Sequence, residues 1–79
     1  MPLFYFHLIN DMDVPDYEGE DLPDMAAAAA FALRQARAMI AAMALDEGRL
    51  VLHHRIDIED EQHSLVGTMA FRDAVRIEE

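Results

Sequence analysis

The chain has 79 residues, 53% hydrophobic and 28% charged, with no cysteine and a formal net charge of -10. That length makes one domain over residues 1–79, whose core buries only about 60% of the surface the unfolded chain exposes, and without cysteine neither disulfides nor thiolate zinc can reinforce it. All six basic residues are arginine, against nine Asp and seven Glu, so phosphates and anionic headgroups are repelled, which argues against direct nucleic-acid or membrane partners.

Residues 3–9, Leu-Phe-Tyr-Phe-His-Leu-Ile, are aromatic and branched and stop at Asn10-Asp11, which reads as a strand. Phe4, Phe6 and Leu8 take one face and Leu3, Tyr5, His7 and Ile9 the other; both are apolar enough to predict a central strand covered on both sides. From Asn10 to Asp24 the chain carries seven acids and no base, with Pro15, Gly19 and Pro23 as breakers. This reads as a solvated loop with a short edge strand near Tyr17 to Leu22.

Asp24 stands where a carboxylate can cap the first turn of a helix, and Gly48 supplies the left-handed residue that ends one, so a helix is expected from about Met25 to about Asp46. Its wheel groups Met25, Ala29, Ala32, Ala36, Met39, Ile40 and Met43 as a sheet-facing stripe. A second stripe, Ala27, Phe31, Arg34, Ala38, Ala41 and Leu45, is expected on the outer side, where small residues let a second helix approach and Phe31 and Leu45 anchor it. A transmembrane reading fails on Arg34 and Arg37, which at mid-span each cost about 2.5–3.5 kcal/mol.

Leu50 to Glu59 reads as a strand with Leu52, His54, Ile56 and Ile58 on one face and Val51, His53, Arg55, Asp57 and Glu59 on the other. Asp60 to His63 is a turn, Ser64 to Phe71 the returning strand, and Ala74 to Ile77 a last extended stretch. Gly67 marks a bulge or a close packing approach. The order β-(β)-α-β-β predicts an α+β two-layer sandwich, one long helix on a mainly antiparallel sheet of three or four strands.

The chemistry-bearing residues form no recognised constellation. His53 and His54, as neighbours on a strand, should point to opposite faces, and no His-x-His or His-x-x-x-His pair presents two imidazoles together, so no metal site is expected from His7, His53, His54 and His63. Asp11-x-Asp13 opens like a calcium loop, but Pro15, Asp16 and Leu22 occupy the fifth, sixth and twelfth positions. Ser64 and Thr68 are the only aliphatic hydroxyls, and neither lies in a nucleophile elbow. No catalytic residue, cofactor or metal follows, and the chain reads as a non-enzyme.

Taken together, Phe4-Tyr5-Phe6-His7, Asp16 with Glu18-Gly19, Leu22-Pro23-Asp24 before an alanine- and arginine-rich helix, Ile56-Asp57-Ile58, and Phe71-Arg72-Asp73-Ala74-Val75 resemble a domain-of-unknown-function family (six-eight-nine-four) of small bacterial proteins. The resemblance spans nearly the whole chain and departs at the 60–63 turn, which lacks the expected glycine. The family has no assigned activity, so no catalytic residue is carried over. At the level of fold alone, antitoxin-type modules of the HicB kind are similar. The expectation is a protein-interaction or regulatory module, a homodimer through the outer helix face. The alternative is an inhibitor that offers Asp11, Asp13, Asp16, Glu18, Glu20 and Asp21 to a basic protein partner in place of nucleic-acid phosphates. No basic n-region or cleavage site precedes the first strand, and a cytoplasmic location is expected.

Overall fold

Strand β1 (Leu3–Ile9) runs through the middle of an antiparallel sheet in a computed structural model that describes residues 2–79. On one side it pairs with β4 (Arg55–Glu59), Leu8 opposite Ile56 and Phe6 opposite Ile58. Two two-residue strands share its other side: β2 (Asp13–Val14) against Leu8 and Ile9, and β3 (Glu20–Asp21) against Leu3 and Phe4. Strand β5 (Leu65–Ala70) pairs with β4 and forms the outer edge, so the sheet has five strands and stays open. The acidic segment thus supplies two short strands, where one was expected.

Helix α1 (Met25–Glu47) lies across one face. It starts where the carboxylate of Asp24 accepts the Ala27 N–H at 2.8 Å and ends at Gly48, whose φ of 65° lets its N–H reach the Ala44 carbonyl. The helix buries Ala28, Ala32, Ala36 and Ile40 against Phe4, Ile56, Ile58 and Phe71. Three alanines at four-residue spacing bring the helix backbone close to the sheet, which suits a chain too short for a thick core. By length and composition α1 could cross a bilayer, yet it packs as the lid of this sheet.

Four local expectations are corrected. Among the described residues, the face of β1 carrying Leu3, Tyr5, His7 and Ile9 has no covering layer; the strand is central through its edge-on neighbours. Phe31 does not sit on the outer side of α1 but packs against Phe6, ring centroids 4.6 Å apart, because it falls at the flank of the buried stripe. The strand expected from Leu50 begins at Arg55, since β1 ends at Ile9 opposite Arg55 and the residues before it have no strand to pair with. Residues 71–74 leave the extended path as a short helical turn, α2 (Phe71–Ala74). Phe71 and Ala74 bury there, and Arg37 on α1 donates through Nε to the Ala74 carbonyl at 2.7 Å.

Gly67 makes a close packing approach: a Cβ there would stand 2.9 Å from the Met25 side chain. A bulge sits beside it, because Ile58 pairs with Gly67 and Glu59 with Leu65, leaving Val66 extra. In the 60–63 turn the left-handed position is taken by His63, at φ 62°, in place of a glycine. Asp60 compensates by accepting the N–H groups of Gln62 and Ser64 on its carboxylate and that of His63 on its carbonyl.

Candidate functional site

The uncovered face of the sheet carries a connected polar network. His7 on β1 lies 2.9 Å through Nε2 from Oε1 of Glu59 on β4, and its Nδ1 accepts the Asp16 N–H at 2.9 Å. The backbone donor leaves Nδ1 no proton, so Nε2 carries it and donates to Glu59. His63 donates through Nδ1 to the same oxygen at 3.2 Å and stacks on Tyr5 at 4.6 Å. Both contacts hold the Glu59 carboxyl below its ordinary value of 4.5, the His7 hydrogen bond foremost. A hollow of ≈ 400 Å³ opens beside them, its walls including His7, Ile9, Asp57 and Glu59.

Asp16 anchors the acidic loop to this network. Its Oδ2 accepts the Phe6 N–H in the gap that β2 and β3 leave along β1, and its Oδ1 accepts the N–H groups of Glu18 and Gly19. Burial pushes the Asp16 carboxyl up, but these backbone donors, with the nearby His7, more than offset it and hold the group below 3.8. Gly19 must adopt φ 73°, and a Cβ there would meet the Phe4 carbonyl oxygen at 2.8 Å. The Asp16 and Glu18-Gly19 motif therefore ties the loop to the sheet. Asp11, Asp13, Glu18, Glu20 and Asp21 remain exposed, whereas Asp16 is half-buried and committed.

Of the helix residues expected at an interface, Arg34, Ala38, Ala41 and Leu45 are exposed, Ala27 is half-buried, and Phe31 belongs to the packing with Phe6. Large apolar side chains are also exposed outside the helix, Met12, Tyr17, Leu50 and Ile77 among them, and one further apolar patch was not expected. It lies at the start of β5, where Leu65 is 63% and Val66 41% exposed. An uncharged edge strand was the available sequence signal.

His53 and His54 do not diverge. They lie in the irregular segment before β4, where strand alternation does not apply, and their rings meet edge to face at 4.5 Å. His53 Nε2 lies 3.2 Å from Asp11 Oδ1.

A family model described as Domain of unknown function (DUF6894) matches residues 3–72, and the chain belongs to that family. No curated protein and no solved structure matches it.

Proposed function

We propose that this DUF6894 protein is a non-enzymatic protein-interaction module that works as a homodimer, its copies joined edge to edge through β5. The observation that carries the reading is the chemistry of that edge. Residues 65–70 read Leu-Val-Gly-Thr-Met-Ala, with no charge and no proline, and among the described residues β5 pairs on its β4 side alone. Soluble proteins ordinarily blunt such an edge with lysine, proline or a covering element, because its free N–H and C=O groups template another strand. Antiparallel pairing of β5 with its copy about a two-fold axis satisfies those groups and continues the sheet. The bulge at Val66 bends the start of the strand, which centres the pairing on residues 67–70. The engagement of both ring nitrogens of His7 with Asp16 and Glu59 supports a non-enzymatic role.

Light scattering after gel filtration at high micromolar concentration tests this. A dimer is expected that Thr68→Lys, an exposed position inside the paired segment, dissociates and Leu45→Glu leaves intact. Dissociation by Leu45→Glu alone would move the contact to the outer face of α1, and a monomer at every concentration would end the homodimer reading.

A second reading rests on the five loop carboxylates that remain exposed, Asp11, Asp13, Glu18, Glu20 and Asp21, which suit a basic protein partner. Capture that weakens steeply with salt and is lost on neutralising them would favour it.

A further inference from the structure

We infer that Asp11, His53 and His54 form a binding site for a divalent transition-metal cation of the zinc class. This assignment is independent of the interaction reading. One ligand atom from each of the three residues lies within 4.8 Å of the others. Zinc bonds of about 2.0–2.1 Å in a tetrahedron put two ligands about 3.3 Å apart. His53 Nε2 and Asp11 Oδ1, at 3.2 Å, already stand at that separation. A cation between them replaces the bridging proton, which passes to His53 Nδ1, and only a short closure of the exposed Asp11 and His53 side chains onto His54 remains.

The second, independent observation is His54 itself. It is a buried polar residue of the core, 7% exposed, and its Nε2 has no hydrogen-bond partner among the described residues. Buried polar atoms are normally satisfied, and one that is not calls for a water, an ion or a role. The ring is held in place: Phe71 packs edge-on at 5.6 Å, and the Phe71 N–H donates to the His54 carbonyl at 2.9 Å. A pre-positioned, under-satisfied imidazole next to a second imidazole and a carboxylate is a ligand set in waiting.

The donor types select the metal. Two nitrogens and one carboxylate oxygen suit zinc, nickel or copper, whereas calcium and magnesium require oxygen-rich shells. Three protein ligands leave a fourth position for water. The adjoining hollow of ≈ 250 Å³ is walled by Asn10, Met43, Arg49 and Val51 among others. Its one cation, Arg49, is turned to Glu47 at 3.4 Å, which moderates its repulsion of a second positive charge.

Titration calorimetry with Zn²⁺ on the full chain, Mg²⁺ in parallel, and nitrogen-detected NMR of the imidazole rings test the site. One Zn²⁺ per chain is expected, with the His53 and His54 ring signals moving and no response to Mg²⁺. His53→Gln and Asp11→Asn change exposed side chains and should each weaken Zn²⁺ binding by about 10-fold or more, while His63→Gln leaves it unchanged. Absence of saturable binding, equal affinity in His53→Gln, or ring shifts confined to His7 and His63 would overturn the assignment.

Discussion

Toward α1, strands β1 and β4 present Phe4, Phe6, Leu8, Ile56 and Ile58; one residue out of phase, the same strands present Tyr5, His7, Asp57 and Glu59 to the open side. The first face is held by burial, with Ile56 at 1% and Ile58 at 2% exposure, and burial is non-directional: any shape that excludes water serves. The second has no covering layer among the described residues, and its groups are held by partners at defined positions. His7 bridges Asp16 and Glu59, and Asp57 accepts from Thr68 at 3.2 Å and from Arg55 at 3.1 Å. Most of the stability should therefore lie on the helix side, and most of the positional precision of loop and turn on the other.

The largest test of that division is Ile56→Ala, expected to cost about 2–5 kcal/mol by urea denaturation, because it leaves a cavity under α1. A loss below about 1 kcal/mol would erase the contrast between the faces. Next comes Asp16→Ala, which removes the acceptor for three backbone N–H groups and should cost about 1–3 kcal/mol. Faster hydrogen exchange confined to the Phe6, Glu18 and Gly19 amides would sharpen the picture of a locally held loop; exchange rising equally under α1 would contradict it.

The smallest effect concerns acid stability. The carboxyls of Asp16 and Glu59 titrate in the folded chain below their ordinary values of 3.8 and 4.5. Groups depressed on folding contribute stability that is complete above the ordinary value and is lost as pH falls through the folded one. Stability should accordingly decline from about pH 4.5 downward, and Glu59→Gln should flatten the upper part of that decline by giving up a small stability at neutral pH and converging with the parent chain in acid. Denaturation midpoints followed across this range would show it; an unchanged slope would mean that the His7 and His63 contacts to Glu59 do not persist in solution.

Several elements were legible residue by residue. Alternation marked β1 and separated Phe4, Phe6 and Leu8 from Tyr5 and His7, and Asp24 and Gly48 bounded α1 within a residue of where it runs. The small side of Gly67 and the departure at 60–63 were also visible, the latter resolving into His63 held in the left-handed region by Asp60. The roles of Phe31, Asp16, His53 and His54 were not. Phe31 lies far enough round the helix to belong to either side until the helix is rotated onto Phe6. Asp16 reads as one more loop acid until the gap between β2 and β3 offers it the Phe6 N–H. His53 and His54 obey strand geometry only if the strand reaches them, and it stops at Arg55 because β1 does.

Those two groups of features differ in the range of the interactions behind them. Caps, turns and side-chain periodicity depend on residues a few positions apart, so they are written into the chain and survive any reasonable packing. The end of β4, the rotation of α1, the anchoring of the acidic loop and the meeting of Asp11 with His53 and His54 each join positions that a folded sheet must first bring together. Such contacts depend on register and on which partner strand runs out first, quantities that no local window contains.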